Sequence, residues 1–231
     1  MTLVVGTPTT GGFWSTSRSF NHTCSAGQSL YLGVITDAAV TATATYNTDA
    51  MTAVGTHSAN YRVTAFRLLA PDTGSAYSVA ISLSGDSACA CVAFGISGVD
   101  SGDPDDTPVT ADDTTGYPDT TVSSATGDMV FQFVGVGSAA LPATPGTDET
   151  EVADFVQDYL GIACYRQDGA ASVQINPSLS NTFYSWTALA FNVNAAAGGY
   201  EDHDTSPWDP LLHDPQPGGL GVYRIARGRV G

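Results

Sequence analysis

The chain has 231 residues, of which 42% are hydrophobic and only 13% are charged, and this apolar content favours a folded core over global disorder. It contains no lysine, and seven arginines against 23 acidic residues give a formal net charge of −16 at pH 7. Because a surface of this sign repels phosphate groups, we expect neither nucleic acid nor an anionic membrane as a partner.

No apolar run approaches the roughly 20 residues that span a membrane. The N-terminal MTLVVGTPTTGGFW lacks the basic region of a signal peptide, so we predict synthesis in the cytoplasm. The four cysteines fit neither a zinc-binding pattern nor a disulfide framework. We therefore predict that all four are buried as small hydrophobic residues.

The first part of the chain predicts an arm followed by short strands. Residues 1–24 form an N-terminal lead-in with a first strand over 13–20, and Leu30 to Thr36 has the two-residue period of a strand. One face of that strand carries Leu30, Leu32 and Val34, and the other carries Tyr31, Gly33 and Ile35. The small residues of 40–46 predict another strand, and Asn47-Thr48-Asp49-Ala50 predicts a turn into a strand over 51–54.

Residues 61–100 predict three strands and two turns. The first strand begins at Tyr61 and leads to the turn Pro71-Asp72-Thr73-Gly74, since proline fixes φ and glycine allows a positive φ. A second strand covers 77–84, and Gly85-Asp86 is predicted to end it. The almost wholly apolar run 89–96 predicts a strand that is covered on both faces.

After residue 100, two loops interrupt the strands. Residues 101–120 hold six aspartates and three prolines without one basic residue, which predicts a long surface loop, and 137–150 is a second loop. The pattern of 151–160 fits a short helix or a strand equally well. Further strands are predicted over 128–135, 161–166, 171–175 and 184–193.

About ten strands joined mostly by short turns predict an all-β fold, a two-sheet antiparallel β-sandwich of jelly-roll or immunoglobulin-like type. We assign the sandwich domain to residues 25–196. The pattern changes at Ala195-Ala196-Ala197-Gly198-Gly199, and residues 197–231 are predicted to be an extended C-terminal arm.

Few residues in the sequence suggest a metal-binding or catalytic site. Asp103, Asp105 and Asp106 offer the carboxylate oxygens that Ca²⁺ prefers, but the glycine and terminal glutamate of the regular calcium loop are absent. We expect a solvated loop and no cofactor, with a structural calcium ion as the alternative.

A weaker candidate for a metal site lies in the arm and consists of Asp202, His203, Asp204, His213 and Asp214. The other two histidines, His22 and His57, are predicted to be surface residues. No Gly-x-Ser-x-Gly motif or Ser/His/Asp set is evident, so we predict that the chain is not an enzyme.

The arm combines aromatic, aliphatic and basic residues of the types that are enriched at protein interfaces. We predict an interface there in preference to a disordered tail, which seldom carries such residues together. The candidate interface residues are Trp208, Leu211, Leu212, Tyr223, Arg224, Arg227 and Arg229.

Residues 25–195 resemble a β-sandwich module found in structural proteins of tailed bacteriophages and in uncharacterised bacterial proteins. In that module a P-x-T-G turn precedes a V-x-V-x-x-S-G strand, and a strand ending in G-V-D-x-x-x-P comes next. The matching segments here are RLLAPDTGSAYSVAISLSG, GVDSGDP and SWTALAFNV. These are turn and strand signatures, so the resemblance implies a fold more specifically than a function.

With the arm, the resemblance implies a virion protein that decorates the head or tail of a tailed phage. It would be made in the host cytoplasm and would bind other virion proteins as a homo-oligomer, most simply a trimer. A carbohydrate-binding or adhesin module for the host surface is the alternative, with Tyr31, Tyr46 and Tyr77 as its candidate glycan platform. A hydrolase with an unrecognised site is a third hypothesis.

Overall fold

The computed structural model describes residues 1–137, 141, 143–180 and 184–197. All regular elements in these ranges are β-strands, and the strands pair antiparallel, which confirms the predicted all-β sandwich class. The arm predicted for 197–231 lies, apart from Ala197, outside the described residues.

The first sheet has eight strands, and one long strand holds it together. The strands are β1 Val4–Val5, β2 Thr9–Thr23, β3 Gln28–Asp37, β4 Ala42–Tyr46, β5 Asp49–Ala50, β6 Thr52–Ser58, β7 Tyr61–Leu68 and β8 Ala76–Ser97. Their order is β5-β4-β8-β3-β7-β6, and β1 and β2 both pair with β8 as well.

The second sheet has five strands and is accompanied by two small two-stranded sheets. The strands are β9 Val109–Asp113, β10 Thr120–Val122, β11 Met129–Gly137, β12 Ala143–Thr144, β13 Thr150–Gln157, β14 Leu160–Asp168, β15 Val173–Ile175, β16 Ser178–Leu179 and β17 Trp186–Val193. The five-stranded order is β13-β14-β11-β17-β9, while β10 pairs with β15 and β12 with β16.

The main core lies between the two large sheets. Its rings come from both sheets: Tyr31, Phe94, Phe131, Phe133 and Phe191 are all fully buried. Stacked and tilted ring pairs with centroids 5.2–6.2 Å apart join them across the sandwich.

A second core covers the outer face of β3, because the first sheet curls over it. The C-terminal half of β8 pairs with β3 and its N-terminal half pairs with β4, while β2 follows both halves. Both halves of β8 contribute side chains to the same cluster, which also contains Leu30, Leu32 and Val34. The predicted faces of β3 are therefore confirmed, and both faces are buried.

The predicted break at Gly85-Asp86 is wrong. The chain continues as one 22-residue strand, and β2 shifts its pairing there, from Ser15 opposite Ser87 to Ser17 opposite Ser82. The irregularity bends the long ribbon without reversing it, as a bulge does.

A third core lies on the outer face of the second sheet. Every residue of β11 is buried, with Phe131 and Phe133 facing the first sheet and Val130, Val134 and Val136 facing outward. The strands of the small sheets cover that outward face with Val122, Val173 and Ile175.

Both loop predictions change in the structure, since the predicted loop 137–150 contains β12. Residues 101–120 contain β9, which among the described strands pairs only with β17 and so forms an edge of the second sheet. Pro108 and Pro118 flank β9, where they remove no ladder hydrogen bond. Residues 151–160, whose pattern fits a helix or a strand, contain most of β13, the hairpin Asp158-Tyr159 and the start of β14. The turns at Asn47 and Gly74 are confirmed, since their φ angles are 57° and 86°.

Candidate functional site

Asp105, one of the predicted calcium candidates, is bound to protein groups instead. Its Oδ1 accepts a hydrogen bond of 2.7 Å from the Tyr31 hydroxyl, and its Oδ2 pairs with Arg67 Nη1. The Asp105 side chain is only 6% exposed. Burial raises the pKa of Asp105, and the hydrogen bond from Tyr31 and the charge of Arg67 oppose that rise. The pair ties the acidic loop to the first sheet.

Asp106 and Asp103 have different partners. Asn192 Nδ2 lies 3.2 Å from Asp106 Oδ2 and 3.1 Å from Asp128 Oδ2. Asp103 contacts Asn194 through its backbone, because the Asp103 carbonyl accepts a hydrogen bond of 2.9 Å from Asn194 Nδ2. The three candidate carboxylates therefore do not converge. In the described part of the chain, no group of three or more His, Cys, Asp or Glu is placed to hold a metal ion.

The four cysteines are free and buried, as predicted. Cys89 and Cys91 face the same core with their sulfurs 3.4 Å apart.

The surface prediction for His22 is wrong, because this residue is 2% exposed. Among the described residues only its Nδ1 has a hydrogen-bond partner, Thr9 Oγ1 at 3.0 Å. Burial lowers the pKa of His22. His57 is half-buried, with its Nε2 2.8 Å from Asp112 Oδ1.

The predicted glycan platform does not exist as a surface. Tyr31 and Tyr46 are fully buried, and Tyr77 is half-buried with its ring edge-on to Tyr46 at 5.8 Å. The sequence pattern shows which residues share a face, but it does not show that another layer covers that face.

Three exposed aromatic side chains and the half-buried Tyr61 gather instead at the end of the sandwich where β3 stops. Trp14 lies on β2, Tyr159 is in the two-residue hairpin between β13 and β14, and Tyr61 begins β7 opposite Asp37, the last residue of β3. Tyr184 precedes β17 and, like the Tyr61 hydroxyl, lies near Gly137. We call Trp14, Tyr61, Tyr159 and Tyr184, together with Asp37, the aromatic cluster.

A hydrogen bond and a ring contact fix the geometry of this cluster. The Tyr159 hydroxyl donates to the Asp37 carboxylate, with distances of 2.8 and 2.7 Å to its two oxygens. The rings of Trp14 and Tyr159 meet edge to face, with centroids 5.4 Å apart and planes at 67°. Burial, and then the hydrogen bond to Asp37, raises the pKa of Tyr159 to about 12, so its hydroxyl stays protonated at neutral pH.

The aromatic cluster remains open to solvent. Trp14 is 57% exposed, Tyr159 40% and Tyr184 37%. Ser87 Oγ lies 3.0 Å from Asp37 Oδ2 and accepts the Asp37 N–H, which orients the carboxylate. No pattern in the sequence pointed to this site, because its members are far apart along the chain and meet only when the two sheets pack.

Two predicted sites of the arm lie outside the described residues. They are the interface residues from Trp208 to Arg229 and the candidate metal group from Asp202 to Asp214.

Within the described part, no helix has the length and apolarity to cross a membrane. No family model, curated protein or solved structure matches the chain.

Proposed function

We propose that the chain is a non-enzymatic structural protein of a tailed-phage virion, which decorates the head or tail and assembles through its arm. The observation that carries this proposal is the polarity of the sandwich. The N-terminal amino group of Met1 donates to Ala196 O at 2.9 Å, and Ala196 N donates to Gly98 O at 2.7 Å. Ala196, which follows the end of β17 by three residues, therefore lies beside Met1 and Gly98 at one end of the sandwich.

The aromatic cluster lies at the opposite end. β3 has ten residues and runs from Gln28, beside Ser97, to Asp37, so about 30 Å separate the two ends. A module of this kind can be attached through the end near Ala196, where the chain leaves the sandwich. The opposite end, which carries the aromatic cluster, is then displayed to solvent. The turn and strand signatures shared with phage structural modules agree with that role.

Charge supplies a second argument for assembly. Residues 1–199 carry 18 acidic residues and four arginines, whereas the last twelve residues carry Arg224, Arg227 and Arg229 and no acid. The basic end of the arm complements the acidic sandwich of a neighbouring subunit or of another virion protein. Complementary charge of this kind fixes the register of two partners and speeds their encounter. A symmetric homo-oligomer such as a trimer would repeat the same contact at each subunit interface.

The test compares the full chain with residues 1–199 in a phage that encodes the protein. Both proteins should be soluble and unfold at the same urea concentration, since every described strand lies before residue 199. Light scattering should show an oligomer for the full chain and a monomer for the truncated one, and only the full chain should enter particles. Equal incorporation of both would refute assembly through the arm.

A carbohydrate-binding or adhesin function is the second candidate, and the aromatic cluster favours it. The cluster combines exposed rings with an oriented carboxylate, the mixture of apolar and precisely placed polar groups that is typical of small-ligand sites. The two candidates are compatible, since a virion protein can display a module that binds the host surface.

A further inference from the structure

We propose that the aromatic cluster is a binding site for an uncharged saccharide, in which a sugar ring packs against Trp14 and its hydroxyl groups donate to the Asp37 carboxylate. The proposal rests on the second candidate function and specifies its site and its class of ligand.

The first step of the argument concerns the apolar contact. More than half of the Trp14 surface is open to solvent, and the covered part of the ring packs edge to face against Tyr159. A ring that is already ordered loses little conformational freedom when a ligand covers it. The C–H face of a pyranose is flat and weakly apolar, and it suits an exposed indole better than a branched aliphatic ligand would.

The second step concerns the polar contact. An ionised carboxylate has about four lone-pair positions, and the hydroxyls of Tyr159 and Ser87 are the protein donors near Asp37. No cation lies within 4.0 Å of its carboxylate among the described residues. Asp37 therefore keeps acceptor positions, and vicinal sugar hydroxyls are donors of suitable spacing.

Charge determines which saccharides fit. The sandwich has a large excess of acidic residues, and Asp158 in the hairpin beside Tyr159 adds one more at this end. Sialylated and uronic-acid glycans would be repelled. A neutral hexose or N-acetylhexosamine carries no such penalty.

The experiment uses the full chain, a glycan array for screening, and calorimetric titration with methyl glycosides of glucose, galactose and N-acetylglucosamine. Sialyllactose is the anionic control. We expect at least one neutral glycoside to bind and sialyllactose to give no signal.

Three variants locate the site. Trp14→Ala should abolish measurable binding, and Asp37→Asn should weaken it about tenfold, as expected for losing a hydrogen bond to a charged group. Tyr117→Ala removes a tyrosine that is 49% exposed but is not a member of the cluster, and it should bind like the wild type. Unfolding midpoints in urea should confirm that all three variants are folded.

Three results would overturn the proposal. One is the absence of binding to any neutral glycoside, and another is binding that both Trp14→Ala and Asp37→Asn leave unchanged. The third is Trp14-dependent binding of a synthetic peptide of residues 220–231 in place of sugar, which would make the cluster a protein interface. The first two results leave the virion proposal unaffected, because that proposal is tested separately by incorporation of residues 1–199 into particles. The third result would agree with assembly through the arm and would contradict the display of this end of the sandwich.

Discussion

Among the ion pairs of the described residues, the pair of Arg67 and Asp105 is the least exposed. Its side chain is 18% exposed and neutralises Asp105, which is 6% exposed. Removing one partner of a buried ion pair leaves the other charged and desolvated. We expect Arg67→Met to lower the free energy of unfolding by about 3 kcal/mol, measured by urea denaturation.

Arg18→Met is the matched control for Arg67→Met, because Arg18 is exposed on β2 and has no carboxylate within 4.0 Å among the described residues. Its effect should stay within about 0.5 kcal/mol. Equal midpoints for Arg67→Met and the wild type would show that the acidic loop is held by other contacts.

His22 gives the sandwich a specific dependence on pH. Because burial lowers its pKa in the folded state, the unfolded chain binds more protons between that value and about 6.5. Stability should therefore fall as pH falls through this window. We expect the wild type to lose more stability between about pH 7.5 and 5 than His22→Asn does, measured by urea midpoints.

Glu149 and Glu151, whose pKa values burial raises, act in the opposite direction. They are present in both proteins and cancel in the comparison of the wild type with His22→Asn. Identical pH profiles for the two proteins would mean that His22 accepts a proton without cost.

At the scale of secondary-structure elements, close contacts between β3 and β11 determine how the two large sheets align on each other. A Cβ atom at Gly33 would lie 2.3 Å from the Phe133 ring, and one at Gly135 would lie 2.5 Å from Ile35. Each glycine thus admits a large side chain from the opposite sheet. Gly33→Ala should destabilise by about 1–3 kcal/mol through overpacking, and Phe133→Leu should restore part of the loss.

Gly85→Ala is the matched control for Gly33→Ala and tests the description of β8. Among the described residues, a Cβ atom at Gly85 would meet only Val40, at 3.9 Å, and Gly85 has no positive φ. Alanine should be neutral or stabilising by about 0.5 kcal/mol. Marked destabilisation would indicate that Gly85 occupies the turn that the sequence suggested.

The elements were largely predictable because strand periodicity is local. The faces of β3 follow from alternation, and Gly74 marks its turn because glycine tolerates a positive φ. The bend in β8 was not predictable, since Gly85-Asp86 has the composition of a turn, and β8 is seen to continue only because it pairs with β2 on both sides of that dipeptide, up to Ser82 and again from Ser87. β9 was missed for the same reason, as its acidic residues suit an edge strand that is visible only once β17 is beside it.

At the scale of the whole molecule, the class of fold was predictable and the location of the site was not. Many short strands with turn signals leave few options other than a sandwich. The aromatic cluster depends on contacts between β2, the end of β3 and the β13–β14 hairpin, and the Tyr159–Asp37 hydrogen bond joins residues 122 positions apart. Tyr31 and Tyr46 were candidates for the surface because the sequence does not reveal the layers that bury them.

The most direct test of the proposed function is to locate the protein in mature particles of a phage that encodes it. Purified particles would be analysed by quantitative mass spectrometry and by electron microscopy with an antibody against the sandwich. We predict many copies per particle, in a stoichiometry that matches the symmetry of the head or tail, with the antibody bound at regular positions. Particles that lack the protein, while it accumulates free in the infected-cell lysate, would contradict a structural role in the virion.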